Sequence, residues 1–226
     1  MVPIFNEAAT LRQCIENLMA IRSETLELDV HLINDGSTDS SSETAAELES
    51  EFEEIRVTNM PHNVGKGAAV RTGFEDVRGD YVAIQDADLE YDPRDLVGLL
   101  EPLINDEADV VFGSRFIDRP WSSMNWRQRI HCFGNRSLTW LSNLKTQLKL
   151  TDMETCYKVF RQDVVEQLKL DENRFAIEPQ ITSQISKLGV RVVERPISYH
   201  GRGYGEGKKI GIRDAFRAAY CILFRN

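Results

Sequence analysis

The sequence predicts a single α/β domain: a mixed, mostly parallel sheet flanked by helices. Three observations carry this. Short runs rich in β-branched and aromatic residues alternate with helix-length amphipathic segments through the first half of the chain. Clusters of Asp, Asn and Gly directly follow those runs, where open parallel sheets place their ligands. The 226 residues suffice for one large core but are few for two.

Strands are expected over residues 2–5, 29–34, 55–58, 81–85 and 109–113. The first starts one residue after Met1, short for a central strand, which usually has about five or six residues. Between strands, Leu11, Ile15, Leu18 and Met19 repeat at helical spacing, as do Ala45, Leu48 and Phe52. Pro93 suits the first turn of a helix carrying Leu96, Leu99, Leu100 and Leu103. After Arg115 the alternation weakens and the composition turns basic and aromatic, with Trp121, Trp126, Phe133 and Trp140. Residues 1–114 and 115–226 therefore read as two functional halves of one domain. A strand over 156–160, a helix over 178–188 and a strand over 190–194 would complete the sheet. Residues 200–209 read as a Gly-rich loop, and 213–224 as a last helix.

Charge is unevenly spread. Residues 1–110 hold 25 acids and 7 bases, and residues 111–226 hold 11 acids and 20 bases. The acidic total argues against a nucleic-acid binder, while the basic second half suits a phosphate-bearing partner or an anionic membrane surface. No apolar run reaches membrane-spanning length and no signal-peptide layout opens the chain, so the expectation is a cytoplasmic protein, peripheral at most on the cytoplasmic face of the membrane. Cys14, Cys132, Cys156 and Cys221 lack paired spacing and are expected to be buried thiols. His31, alternating with apolar neighbours, reads as a packed strand residue, and core packing is the expectation for Trp140. Arg127, Arg129 and Arg136 fit either an acceptor-phosphate patch or one solvated helix face.

Three acidic side chains crowd the segment Asp86-Ala87-Asp88-Leu89-Glu90 at the end of an apolar strand. Such crowding needs compensation by a divalent cation or by hydrogen-bond donors. If the chain stays extended, Asp86, Asp88 and Glu90 share one side. Hard oxygen ligands of this kind suit Mg²⁺ or Mn²⁺ bridging a diphosphate. The stretch Asn34-Asp35-Gly36-Ser37-Thr38-Asp39 follows another strand and opens a helix, with Asp39 or Ser37 as candidate cap. Asn63-Val64-Gly65-Lys66-Gly67 brings backbone N–H groups and a cation together at a helix start, as phosphate binding requires. It is not a Walker A loop.

The ordered set comprising Val2-Pro3-Ile4-Phe5-Asn6-Glu7, the Asn-Asp-Gly-Ser-Thr-Asp stretch, Gly65-Lys66-Gly67, Asp-Ala-Asp and Gly113-Ser114-Arg115 resembles the motifs of family-2 glycosyltransferases of GT-A fold. Within that family the resemblance is to the dolichyl-phosphate mannose synthase and polyprenyl-phosphate glycosyltransferase branch, over nearly the whole chain. The resemblance implies that Pro3, Phe5 and Glu7 contact the nucleoside, with Phe5 where Tyr is common. It implies that Asp35 binds the base, that Lys66 lies near the nucleotide, that Asp86 and Ala87 touch the ribose, and that Arg115 lines the donor pocket. Asp88 and Glu90 would hold the Mg²⁺ or Mn²⁺, Glu90 standing where Gln is frequent. Arg202 and Lys208 match a basic loop that closes over the donor diphosphate and an acceptor phosphate.

The implied reaction inverts the anomeric centre, taking a hexose from a nucleotide sugar to a lipid phosphate or a saccharide. A phosphate acceptor needs little general-base help, whereas a hydroxyl acceptor needs a base, and Asp152 or Glu154 are the candidates. Asp152 aligns with an acidic family position. Glu154 falls where the mannose synthases commonly have a small residue, and ion pairing with Arg161 or Lys158 is the structural alternative for both. A sugar-phosphate nucleotidylyltransferase fits less well, since no Gly-rich loop follows the first strand. A noncatalytic sugar-binding module would not need so many acids at strand ends.

Overall fold

The computed structural model describes residues 1–118, 126–201 and 212–224. Its elements run β1 (Val2–Ile4), α1 (Leu11–Met19), β2 (Val30–Asn34), α2 (Ser41–Glu51), β3 (Ile55–Asn59), α3 (Lys66–Glu75), β4 (Tyr81–Ala83) and α4 (Asp95–Ile104). There follow β5 (Val110–Ser114), α5 (Trp126–Thr146), β6 (Lys158–Arg161), α6 (Gln162–Val165), α7 (Ile177–Leu188), β7 (Val192–Pro196) and α8 (Ile212–Phe224).

Strands β1, β2 and β3 pair in parallel. In the second half β6 runs antiparallel between β4 and β5, and β7 pairs in parallel with β5. Met1 joins the two halves: its nitrogen donates to the Ala83 carbonyl (2.8 Å) and its carbonyl accepts from the Gln85 N–H (3.0 Å). The sheet thus reads β3-β2-β1-β4-β6-β5-β7, mixed and mostly parallel as expected. The central strands β2 and β5 are buried along their length, which is why they read as mostly apolar runs, with His31 and Asn34 as the polar members of β2.

Helices cover the sheet. Helix α3 packs on β1 and β2, α4 packs on β5, β6 and β7, and α5, α7 and α8 pack on one another. The core runs through both halves, from Val2, Leu32 and Ile84 to Phe112, Tyr157 and Phe160. Each fully buried large apolar side chain there contributes about 1.5–3 kcal/mol. All four cysteines are buried thiols. His31 is also buried: its Nε2 lies 2.8 Å from Thr58 Oγ1 and its Nδ1 faces the Arg56 guanidinium at 2.7 Å. Burial, with Arg56 adding to it, lowers its pKa to about 4, so the ring is neutral.

Two expectations need correction. Residues 126–146 form one long helix, which the sequence offered only as one reading of its arginines, and Trp140 on it is 62% exposed instead of packed in the core. The inward face of α5 mixes polar and apolar groups: Cys132, Thr139, Ser142 and Thr146 are buried, and Leu138 and Leu141 pack against the core. Thr139 Oγ1 accepts from the Met153 N–H (3.1 Å), and the Thr146 carbonyl accepts from Ser186 Oγ (2.9 Å). The aromatic residues are left on the outward side.

The glycines of the Gly65-Lys66-Gly67 turn also have a more specific cause than phosphate approach. A Cβ on Gly65 would stand 2.4 Å from the Asn173 carbonyl oxygen, and one on Gly67 would stand 2.3 Å from that of Glu172. The Ala68 N–H already donates to the Asn173 carbonyl (3.1 Å). The turn is where residues 172–174 cross the start of α3, and only glycine admits that approach. Gly67→Ala is therefore expected to destabilise the fold by roughly 1–3 kcal/mol through overpacking, although alanine favours helix. A thermal melt that left Tm unchanged would contradict this.

Candidate active site

Beyond the carboxyl ends of β1 and β2 lies a groove of about 540 Å³ lined by Phe5, Asn34, Ser37, Asn59, His62 and Asn63, among others. Its walls are tied together by short polar residues. Asn6, at φ +53°, accepts from the Thr38 N–H through Oδ1 (2.8 Å), while its own N–H donates to Ser37 Oγ (3.0 Å). Asp39 accepts from the Ser41 N–H (3.0 Å) at the start of α2 and from the Ala8 N–H (3.2 Å), but the N-cap of α2 is Ser40 and not Asp39 or Ser37 as expected. The Glu7 N–H donates to Ser41 Oγ (2.9 Å), and the Glu7 carbonyl starts α1 by accepting from Thr10 and Leu11. Pro3 sits within β1 opposite Ile33.

Asp35 is buried and faces inward. Its carboxylate accepts from the Asn63 side-chain amide and from the Val64 and Gly65 N–H groups, each at 2.8 Å. Its role in this arrangement is to lock the turn at 63–65 against the end of β2. Gly36, at φ +65°, lets the same crossing close: a Cβ there would meet the His62 and Asn63 backbone at 2.5–2.6 Å.

At the end of β4 the chain does not stay extended. Leu89 adopts φ +59°, which turns the backbone between Asp88 and Glu90, and the three acids take separate partners. Asp86 meets the Lys66 ammonium at 2.8 Å. Burial alone would raise the Asp86 carboxyl, but Lys66 more than offsets it and holds it below the ordinary range. Lys66 is likewise kept charged by Asp86 and Glu178 against its own burial. Asp88 accepts from the Glu90 N–H through Oδ1 (3.1 Å), and Glu90 Oε2 accepts from the Tyr199 hydroxyl (2.7 Å). The side chain of Ala87 is buried in the core, so only its backbone is placed to meet a ligand.

Asp88 and Glu90 together offer hard carboxylate oxygens at a partly exposed strand end. Two carboxylates completed by phosphate oxygens and water are a donor set that suits Mg²⁺ or Mn²⁺. Among the described residues no cluster of three or more His, Cys, Asp or Glu forms a closed cation cage.

Arg115 is fixed by Asp152. Its Nε and Nη2 donate to the two carboxylate oxygens at 2.6 and 2.7 Å, and its backbone N–H adds a third bond at 3.1 Å. Burial disfavours the guanidinium, yet Asp152 raises its pKa overall, so it remains a cation. Asp152 is fully buried, and this fork is its partner in place of the expected Arg161 or Lys158. A carboxylate held this way orients Arg115; it is poorly set to accept a proton from an acceptor. Arg161 pairs instead with Asp106 and Asp109, and Lys158 with Glu178.

Glu154 is different. Its Oε1 is buried without a hydrogen-bond partner, and burial, reinforced by nearby Glu178 and opposed by Lys158 and Arg115, raises its pKa to about 7. Residues 202–211, with Arg202 and Lys208, lie outside the described residues, as does the side chain of Arg127. Sequence reasoning missed Glu178 and Tyr199. Glu178 opens α7 beside Pro179 and looked like an ordinary first-turn acid, and Tyr199 borders the Gly-rich segment with no motif of its own.

Comparison with known proteins fits this arrangement. Residues 1–169 match the family described as "Glycosyl transferase family 2", and the chain belongs to that family. It is 29% identical to an undecaprenyl-phosphate mannosyltransferase of Micrococcus luteus, over 93% of this chain and 86% of that protein. It is 27% identical to a dodecaprenyl-phosphate galacturonate synthase of Rhizobium johnstonii, over 99% of this chain and 64% of that protein. Against two Haloferax volcanii relatives, the glycosyltransferase AglD and the hexosyltransferase Agl6, the chain spans 33% and 52% of their lengths. Among solved structures, glucosyl-3-phosphoglycerate synthase from Mycobacterium tuberculosis, crystallised with Mn²⁺, UDP and its product, superposes with a TM-score of 0.73 at 16% identity. That match covers 99% of this chain and 77% of the other. At that identity it establishes the fold alone, which is GT-A.

The Glu154 carboxyl gives a pH-dependent prediction. Its folded pKa of about 7 lies above the ordinary 4.5, so its ionisation costs stability as pH rises between those values, and the cost is constant above the upper one. Glu154→Gln is expected to match the parent near pH 4.5 and to exceed it by about 2 kcal/mol above pH 7. This is less than the full shift implies, because solvent reaches part of the residue. Urea melts at several pH values test this; a constant difference across the range would refute it.

Proposed function

We propose that the protein is an inverting, cation-dependent glycosyltransferase that moves a hexose from a nucleotide sugar to a polyprenyl phosphate. The observation that carries this reading is the separation of acids at the end of β4. Asp86 is paired with Lys66, while Asp88 and Glu90 carry two further carboxylates in the partly exposed turn that follows β4. The two relatives named for undecaprenyl- and dodecaprenyl-phosphate support the acceptor class. The neighbour of like fold crystallised with Mn²⁺ and UDP supports the donor and the cation.

In this reading Phe5 and the groove receive the nucleoside, with Pro3 and Glu7 shaping its wall, while Asp35 acts through the turn it locks. Asp88 and Glu90 hold Mg²⁺ or Mn²⁺, which when bound neutralises charge gathering on the departing diphosphate. Lys66 is the nearby cation on the nucleotide side. Arg115, oriented by Asp152, supplies a fixed positive charge on the donor side. The acceptor phosphate is already anionic and attacks the sugar carbon opposite the leaving group, so no residue need remove a proton. Glu154, about half-protonated near pH 7, then serves as a polar wall; with a hydroxyl acceptor it is the better-placed base. Arg202 and Lys208 retain the proposed role of closing over the phosphates.

The expected result of a donor screen with Mn²⁺ is release of a nucleoside diphosphate, from a UDP- or GDP-hexose, that depends on added polyprenyl phosphate. Asp88→Ala should lower kcat by about 100-fold or more. Pyrophosphate release instead would favour a nucleotidylyltransferase, and acceptor-independent binding without turnover a noncatalytic module.

A lipid acceptor requires an approach to the bilayer. No helix among the described residues is long and apolar enough to cross a membrane. Helices α5 and α8 nevertheless expose Phe133, Trp140 and Leu144, and Phe216, Tyr220 and Phe224, at 57–73%. Arg136 is exposed on α5, whose sequence contains no acid. Aromatic groups with bases suit the interface of an anionic leaflet, in peripheral contact on its cytoplasmic face. The double variant Trp140→Glu with Phe216→Glu should lose most co-sedimentation with phosphatidylglycerol vesicles while keeping its Tm. Equal sedimentation of parent and variant would remove the membrane contact from the proposal.

A further inference from the structure

The segment that follows β7 returns to the acidic turn after β4 and grips it. The Tyr199 hydroxyl donates to Glu90 Oε2 (2.7 Å), the His200 N–H donates to the Glu90 carbonyl (2.8 Å), and Tyr91 and Tyr199 form an isolated antiparallel bridge. The Tyr199 ring meets two groups of the site. It tilts against Tyr91 with centroids 5.3 Å apart, and the Arg115 guanidinium stands 5.1 Å from its centroid. Tyr91 in turn stacks on Tyr157 at 4.7 Å, and the Tyr157 hydroxyl donates to Gln85 Oε1 (2.5 Å), one residue before Asp86. The acidic turn is thus held at both ends by the hydroxyls of Tyr157 and Tyr199, whose rings both contact Tyr91.

We propose that Tyr199 is a positioning residue for the cation site, orienting the Glu90 carboxylate through its hydroxyl and linking that carboxylate to Arg115 through its ring. This rests on the reading of Asp88 and Glu90 as cation ligands. A glutamate side chain has three rotatable bonds, and an unfixed one at a cation site loses rotamer freedom when it binds. The Tyr199 hydroxyl removes that freedom beforehand and leaves the second carboxylate oxygen oriented. Hydrogen bonds to ligating carboxylates commonly change metal affinity by about 10–100-fold when removed. Only one hydroxyl separates Tyr199 from phenylalanine, so Tyr199→Phe retains the ring, its stacking on Tyr91 and its contact with Arg115.

The test is direct Mn²⁺ binding, read by electron paramagnetic resonance of free Mn²⁺ in the presence of UDP or GDP, for the parent, Tyr199→Phe, Glu90→Ala and the double variant. Tyr199→Phe is expected to weaken Mn²⁺ binding about 10-fold with little change in Tm, and to recover most of kcat at saturating Mn²⁺. In the Glu90→Ala background the same change should have no further effect on Mn²⁺ affinity, because its only route is through Glu90. Parent-like Mn²⁺ affinity in Tyr199→Phe overturns the inference and leaves the cation site standing. An equal loss in both backgrounds also overturns it, since the effect would not pass through Glu90. A parent protein that binds no Mn²⁺ with either nucleotide overturns the cation site itself, and this inference with it.

Discussion

The site depends on how its excess negative charge is compensated. One ammonium group, Lys66, reaches Asp86 at the end of β4 at 2.8 Å and Glu178 at the start of α7 at 3.4 Å. Glu178 in turn pairs with the buried Lys158 of β6, whose ammonium also donates to the Thr155 carbonyl. Two cations and two acids from four elements form one chain of contacts beneath the donor side. Desolvating each charge is costly, and pairing returns most of that cost but seldom more. What the network adds is position: losing any one member strands a buried charge, at about 3–5 kcal/mol. Asp86 is thereby held within this network of the protein's own charges.

A second compensation, Arg115 with Asp152, is built the same way on the other side of the site. The fork geometry fixes the guanidinium plane, and the Glu194 carboxylate accepts from the Thr151 and Asp152 N–H groups, so the loop that carries Asp152 is itself anchored to β7. Fixed charges of this kind need no reorganisation when charge develops on a ligand, which is their advantage over mobile surface groups.

Much of this was legible in the sequence, for identifiable reasons. The strands were legible because β2 and β5 are buried along their length and mostly apolar, and Asp35 and Asp86 after β2 and β4 drew attention to one edge of the sheet. Helix α5 was less legible because its inward face mixes Thr139, Ser142 and Thr146 with Cys132, Leu138 and Leu141, while Phe133 and Trp140 lie outward. Such a mixed face gives only a weak apolar period to read. The common side assigned to Asp86, Asp88 and Glu90 assumed an extended chain, and the positive φ of Leu89 breaks that assumption. The ion partners of Asp152 and Lys158 lie 37 and 20 residues away, and local spacing carries no information about such pairs.

The inward-facing carboxylate of Asp35 has a consequence for recognition. By pinning three donors from residues 63–65 beneath the end of β2, it fixes one wall of the groove that Phe5 borders on the other side. In the proposed reading a nucleoside enters a groove whose wall at residues 63–65 is already braced, so little loop ordering accompanies binding. Discrimination between bases would then rest on fit against a rigid slot.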